Sequence, residues 1–239
     1  MNTKTRPVNT VKLYRTAPHE CSYLPDQEAT TLFVDPDLPL TNTINTQLNA
    51  LGFRRSGMHI YKPDCLTCNA CISCRILVND FQFKRRYNKL LNRNSDIRVT
   101  ESLFLHEEEC YELYCDYINK RHGDGDMFPP NREQYAAFIT MKTDDTVYYK
   151  FYAGEKLKAV AVVDKLRHGL SAVYTFFDVH EPRRSLGNFV ILWQIKKAQQ
   201  LDLPYLYLGY WVRECDKMRY KSQYRPLELL MNGRWKRVN

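Results

Sequence analysis

Residues 170–208 read LSAVYTFFDVHEPRRSLGNFVILWQIKKAQQLDLPYLYL, and this stretch decides the fold. Leu170–Phe177 is rich in aromatic and β-branched residues and reads as a strand. A loop holding Pro182 and Gly187 follows, and a helix is predicted from Phe189 to Gln200. Leu203-Pro204 ends it, and Tyr205–Leu208 has the unbroken apolar character of a buried strand. Strand, loop, helix and strand in that order make a βαβ-like crossover. Just upstream, Val147–Ala153 and Leu157–Val163 flank Gly154-Glu155 as a β-hairpin, preceded by a helix over Arg132–Met141.

The first half has a different texture. Val11, Leu13 and Arg15 alternate as in a strand, and a second extended piece spans Thr30–Val34. From Thr41 a helix is predicted, with Ile44, Leu48 and Leu51 on one face and Gly52 at its end. Arg75–Val78 is β-like. Asp80 is placed to cap a helix over Phe81–Leu91, Val99–Leu105 is a strand or a connection, and a longer helix follows over His106–Arg121. Cys110 and Cys115 lie in that longer helix as packing residues. HGDGDMFPP breaks it. The expected division is residues 1–125, a cysteine-bearing N-terminal region, and residues 126–239, a second α/β region.

Composition narrows the function classes. A chain of 239 residues with 44% hydrophobic content can bury a core, which argues against wholesale disorder. No apolar run approaches the length of a bilayer span, and the N-terminus lacks the apolar core of a signal peptide. A cytoplasmic location with no membrane partner is expected, and with it eight cysteines that are reduced thiols or ligands. The net charge of +8 suggests a polyanionic partner. Lys84, Arg85, Arg86, Lys89, Arg93 and Arg98 form one basic group, and a second runs from Arg213 to Arg237. Both are interleaved with aromatics, a combination suited either to RNA or to an ordinary solvated face.

Two segments carry the chemistry. Cys65, Cys68, Cys71 and Cys74 recur after every two intervening residues, with Arg54, Arg55, Tyr61 and Arg75 around them. Successive CxxC steps can turn sulfurs toward one point, as a metal or iron–sulfur cluster requires, but a reduced cysteine-rich turn has the same spacing. Arg183, Arg184 and Gly187 occupy the loop that opens a helix after a strand, where backbone N–H groups and added charge favour phosphate. In GNAT-type acyltransferases the corresponding loop holds the pyrophosphate of an acyl carrier. Lys217, Tyr220 and Lys221 share one face at helical spacing. Tyr174 and Asp178 lie near the end of the strand before the crossover. No HExxH or Walker pattern is present.

HECSYLP, GFRRSGMHIYKPDCLTCNACISCRI, LYCDYINKRHGDGDM, VAVVDKLRHGLSAVYTFFD, RRSLGNFVILWQIKKAQ, LPYLYLGYWV and DKMRYKSQYRPLE run nearly end to end. They resemble the arginyl-tRNA–protein transferase family, in its bacterial leucyl-transferring branch. The resemblance implies an α/β (α+β) chain with a GNAT-like C-terminal part. It also implies a cytoplasmic aminoacyltransferase that moves leucine from leucyl-tRNA to proteins with N-terminal Asp or Glu, marking them for N-end rule degradation. On that reading the acceptor carboxylate meets Arg54, Arg55 and Arg75, with Tyr61 nearby. The tRNA end meets Arg183, Arg184 and Gly187, with Lys217, Tyr220 and Lys221 opposite. Tyr174 or Asp178 handles the amine. The chemistry requires no cofactor, and an iron–sulfur cluster or zinc would take Cys21, Cys65, Cys68 and Cys71, with Cys74 in reserve. Rival readings are an acetyl-CoA-dependent N-acetyltransferase on the same fold and a non-enzymatic RNA-binding metal or iron–sulfur sensor.

Overall fold

The computed structural model describes residues 11–105, 107–125 and 127–238. Its centre is an eight-stranded mixed sheet. Strands β9 (Thr146–Ala153), β10 (Lys156–Leu166) and β11 (Gly169–Phe177) form an antiparallel meander, and β8 (Ile97–Ser102) adds to its edge. Helix α5 (Leu186–Gln200) crosses over from β11 to β12 (Tyr205–Trp211), which pairs parallel to β11. The crossover and the hairpin read from the sequence are both present, with strands a few residues longer than their apolar runs.

Beyond β12 the sheet borrows from the first half of the chain. Strand β7 (Ile72–Leu77) lies between β12 and β13 (Leu227–Met231), and β14 (Arg234–Val238) closes that edge. The order is β14-β13-β7-β12-β11-β10-β9-β8, so residues from both sides of position 125 build one sheet.

Successive side chains of a strand face opposite sides, and both faces here are apolar. Val147, Tyr149 and Phe151 of β9 pack with Phe189, Leu192 and Ile195 of α5, whereas Tyr148 packs with Tyr114 and Ile118 of α3 (Glu108–Arg121). Cys110 is fully buried in that second layer, as a packing residue. The helix expected over Arg132–Met141 divides into α4 (Arg132–Tyr135) and one π-helical turn, Ala136–Thr140.

The first residues form a small satellite. Strands β1 (Leu13–Arg15), β4 (Thr31–Val34), β5 (Arg54–Ser56) and β6 (His59–Pro63) make a four-stranded sheet in the order β1-β4-β6-β5. Strands β2 (His19–Glu20) and β3 (Glu28–Ala29) form a separate ladder. Helix α1 (Asn42–Ala50) starts as read, because the Thr41 side chain accepts the N–H of Ile44, and Gly52 at φ +88° turns the chain out of it. Helix α2 does not start at Phe81. It runs Arg85–Arg93, because Phe81 and Phe83 stack edge to face and Phe81 is buried against the core. Asp80 pairs with Arg237 and caps nothing. Among the described residues no helix is long and apolar enough to cross a membrane.

Arg55 fastens the satellite to the main sheet. Its Nε and Nη2 donate to the two carboxylate oxygens of Asp164 on β10 at 2.8 and 2.7 Å, and both side chains are 1% exposed. Arg55 also donates to Thr146 Oγ1 on β9 and to the carbonyls of Gly57 and Met141. Removing one partner leaves an uncompensated buried charge, which costs about 3–5 kcal/mol. Asp164→Ala is expected to lower unfolding free energy by about that amount in urea titration, and a wild-type midpoint would refute the role given to this pair.

Candidate active site

Strands β11 and β12 run together only briefly. Their parallel register covers Gly169–Ser171 against Tyr205–Tyr207 and stops there. Each strand carries a register irregularity beside the point of separation. On β11 the pairing with β10 slips between Tyr174 and Ala172, and on β12 the pairing with β7 slips between Tyr207 and Gly209. Bulges of this kind bend a strand and re-aim its groups, so the sheet opens into a wedge whose backbone atoms have left the ladder.

Arg54 of β5 enters that wedge. Its Nη1 donates to Ser171 Oγ at 2.8 Å and its Nη2 to the Ala172 carbonyl at 2.6 Å. Ser171 in turn donates to Asn49 Oδ1. On the opposite wall Gly209 adopts φ +82°, and a Cβ there would stand 3.2 Å from Arg54 Nε. A glycine in the strand LYLGYW therefore serves both the bulge and the close passage of the guanidinium. Arg54 is 7% exposed, and among the described residues no carboxylate pairs with it.

A second buried cation lies in the same place. Lys221, 8% exposed, belongs to a 3-10 turn, Tyr220–Gln223, that follows the short helix α6 (Asp216–Arg219). Its Nζ donates to the carbonyl of Tyr210, next to Gly209, and no described carboxylate pairs with it. Burial pulls its pKa down to about 8, with the nearby Cys74 thiol opposing the shift and Arg54 adding to it. Burial also raises the phenols of Tyr61 and Tyr220, and Arg54 opposes both shifts, so four residues expected at substrate and tRNA share one location. The ring of Tyr220 is part exposed while its hydroxyl is turned inward. Tyr210 completes the wall by donating to the carbonyls of Gly52 and Tyr61.

The remaining expected residues lie elsewhere. Arg55 is committed to Asp164. Arg75 is bound to Glu228, and its guanidinium lies 3.6 Å from the Tyr205 ring centroid and 4.2 Å from that of Trp235. Lys217 does not share the face of Lys221; it is exposed and holds Asp124, because the helix expected to align them ends at Arg219. Tyr174 stacks edge to face on Phe138 and its hydroxyl approaches Met127 Sδ at 3.7 Å, a buried phenol held protonated. Asp178 meets Lys158 at 2.8 Å. Its burial opposes ionisation, but hydrogen bonds from Lys158 and the His180 N–H outweigh it and lower its pKa.

At the start of α5, Ser185 sits in the left-handed region at φ 48° and no side chain caps the helix. Arg183 is exposed, while Arg184 is held between Asp96 and Glu181. Gly187 lets the helix lie on Phe177, since a Cβ there would come within 2.9 Å of that ring.

Cys21, Cys65, Cys68 and Cys71 line one cavity of about 40 Å³ together with Tyr23. Burial, with the three other thiols adding, pushes Cys71 up to about 12. The chain thus gathers these sulfurs, although among the described residues no group of three or more His, Cys, Asp or Glu is drawn into a metal shell. Cys74 lies apart from them, fully buried on β7 beside Lys221.

Parallel strands that part beside a crossover helix define a GNAT-like α/β fold. Comparison makes the assignment particular. Residues 19–89 match the family description "Arginine-tRNA-protein transferase, N terminus", and residues 109–231 match "Arginine-tRNA-protein transferase, C terminus". An "Aspartate/glutamate leucyltransferase" of Alcanivorax borkumensis is 52% identical over 229 residues, covering 96% of this chain and 95% of that protein. One of the same name from Pseudomonas syringae pv. tomato is 50% identical over 225 residues, covering 94% and 96%. The solved structure of FemX aligns with 83% of this chain and 79% of its own at 11% identity and TM-score 0.41. The chain belongs to the arginine-tRNA-protein transferase family.

The sequence alone did not reveal Ser171, the Ala172 carbonyl, Gly209 or Tyr210. A glycine inside LYLGYW and a serine inside an apolar strand were the available signals.

The state of Lys221 has a measurable consequence. Its folded pKa, about 8, lies below the ordinary lysine value. Between the two values the unfolded chain holds a proton that the folded chain has released. Stability therefore rises with pH across that window, by up to about 1.4 kcal/mol per unit, and below it the burial penalty persists in full. Lys221→Met is expected to remove this rise between pH 8 and 9 in denaturant titrations, and parallel wild-type and variant profiles would contradict the assignment.

Proposed function

We propose that this protein transfers leucine from leucyl-tRNA to the α-amine of proteins that begin with Asp or Glu. The observation that carries the proposal is the pair of buried cations, Arg54 and Lys221, in the wedge between β11 and β12, neither of which has a carboxylate partner among the described residues. A buried charge without a partner is costly unless a ligand completes it. An acidic side chain at the acceptor N-terminus supplies the missing carboxylate. The names of relatives about half identical over nearly the whole chain agree with that chemistry.

In this reading Arg54 binds the acceptor carboxylate, with Tyr61 beside it. The tRNA terminus lies along Arg183, Arg184, Gly187, Tyr220 and Lys221, with Lys217 at the outer edge. The acceptor amine must be neutral to attack, and its ordinary pKa of about 8 makes a useful fraction neutral at physiological pH. The amine nitrogen forms a bond to the leucyl ester carbonyl carbon. The carbon–oxygen bond to the terminal ribose then breaks, and the proton lost by nitrogen goes to the departing ribose oxygen. Negative charge develops on the former carbonyl oxygen, and fixed cations and N–H groups aimed at such an oxygen stabilise it. In this reading Asp178, held ionised, relays that proton from the amine to the ribose oxygen, and Tyr174, held as a phenol, donates a hydrogen bond at this stage. An activated ester supplies the driving force, so no cofactor is needed. With charged tRNA as donor, this reading expects the protein in the cytoplasm.

The four thiols around the cavity are read as a sulfur site for one zinc ion or an iron–sulfur cluster. The metal would staple the loop after β2 to the one after β6 and take no part in transfer. Protein purified without oxygen or chelators is expected to contain such metal, to lose it on Cys68→Ser, and to be less stable without it. Metal-free wild-type protein of full stability and activity would remove this part of the proposal.

Transfer itself is tested with radiolabelled leucyl-, arginyl- and phenylalanyl-tRNA and peptides beginning with Asp, Glu, Arg or Ala. Label is expected on the Asp and Glu peptides from leucyl-tRNA, and label from acetyl-CoA instead would identify the rival acetyltransferase. Hydrogen bonds to charged groups contribute about 1.5–3 kcal/mol. Arg54→Lys, which keeps the charge but loses the planar fork, is therefore expected to lower kcat/KM for the Asp peptide by roughly tenfold to a hundredfold. Arg75→Lys, at a guanidinium already bound to Glu228, separates the clamp from general loss of fold. Equal losses in the two variants would refute the clamp.

A further inference from the structure

We propose that the exposed face of α2 is the docking surface for the paired RNA stem that adjoins the leucylated 3′ end. This inference rests on the reading of the protein as a leucyl-tRNA transferase.

Residues 81–95, FQFKRRYNKLLNRNS, hold five cations and no carboxylate. Lys84, Arg85, Lys89 and Arg93 are exposed, and among the described residues none of them forms an ion pair. Some cations on other surfaces are neutralised. Arg15 holds Asp64, Arg132 holds Glu108, and Lys217 holds Asp124. Nearby Arg184 is likewise neutralised by Asp96 and Glu181. What sets α2 apart is density: Lys84, Arg85, Lys89 and Arg93, exposed and outside any ion pair among the described residues, fall within residues 84–93, with Arg183 and Lys196 at the margins. Lys196, on α5, reaches over the Phe83 ring at 5.4 Å.

This charge also runs against helix stability. Lys84 is the N-cap residue, Arg85 and Arg86 fill the first turn, and that turn has no acidic residue and no side-chain cap. Cations at a helix N-terminus oppose the macrodipole, at roughly 0.3–1 kcal/mol each when exposed. A sequence that places charge against local stability points to a use for the charge.

The surroundings fix where that use lies. At one end of α2, Arg93 donates to the carbonyl of Arg183 and Asn94 donates to that of Arg184 at 3.0 Å. At the other end Arg86 and Tyr87 donate to the carbonyl of Gln223, in the turn that carries Lys221. The helix thus spans the two loops assigned to the tRNA terminus, one step farther from the wedge. Arg85, Lys89 and Arg93 follow i, i+4 spacing and make a stripe about 12 Å long, which matches consecutive phosphates of a backbone.

The aromatic residues decide between single and double strand. Phe81 and Tyr87 are buried, and Phe83 is part-covered. Among the described residues of α2 and its flanks no fully exposed ring stands on this face to stack a free base, as single-strand binding requires. A duplex recognised by its phosphates requires none.

The test compares two donors with one triple variant, Lys84→Ala/Arg85→Ala/Lys89→Ala. All three sites are exposed and alanine is a good helix former, so the fold is retained. With full leucyl-tRNA the KM is expected to rise about tenfold or more, kcat to stay within about twofold, and the log KM against log salt slope to fall by about three. With a leucylated trinucleotide corresponding to the tRNA 3′ end, which is too short to reach α2, wild type and variant should behave alike. Unchanged KM and salt slope with full tRNA would overturn the proposal, as would equal losses on both donors. Variant-sensitive binding to acidic lipid vesicles without any effect on tRNA would also overturn it. A wild-type protein that transfers no leucine from either donor would refute the proposed function instead.

Discussion

The buried pair of Arg55 and Asp164 is the constraint on which the site depends. Two fully desolvated charges are held by a bidentate contact and by Thr146 and two backbone carbonyls. Burial on this scale is a weak source of net stability, because desolvation offsets most of the Coulombic gain. Its effect is positional. Neighbouring residues of a strand point to opposite sides. Once Arg55 is locked on β10, the next residue back, Arg54, can only be aimed toward β11 and β12. The same guanidinium–carboxylate pair therefore seats a small N-terminal sheet and directs the adjacent arginine into the wedge.

Much of the architecture was legible because it is local. The crossover from β11 through α5 to β12, the β9–β10 hairpin and the Thr41-capped helix all rest on periodicity and turn chemistry within a few dozen residues. The failures were local conflicts won by packing. Asp80 looked like a cap, but burial of Phe81 and its contact with Phe83 delayed α2 to Arg85. The face expected to align Lys217 with Lys221 was lost when the helix tightened into a 3-10 turn, which sent one lysine outward to Asp124 and the other inward to Tyr210.

The site was only half legible, for a physical reason. Arg54, Arg55 and Arg75 are indistinguishable as types, and what separates them is the presence of a carboxylate far along the chain. Asp164 lies 109 residues from Arg55, and Glu228 lies 153 from Arg75. Pattern reading within a window cannot see such partners. The cysteines differ in this respect: spacing alone grouped Cys65, Cys68, Cys71 and Cys74, but the set preferred on the family resemblance, Cys21, Cys65, Cys68 and Cys71, is the one that lines the cavity, while strand β7 turns Cys74 into the core.

Arg54 has a further property that follows from how it is held. A guanidinium carries five N–H donors in a rigid plane, and two of them are engaged by Ser171 and the Ala172 carbonyl. The group is thus already immobilised on β11, close to Gly209 of β12, with three N–H groups outside these two bonds. On the proposed function, an acceptor carboxylate would meet a receptor already fixed in place, so little rotamer freedom would be surrendered on arrival. Discrimination between acidic and neutral newcomers would then resemble a lock cut in advance rather than one shaped around its key.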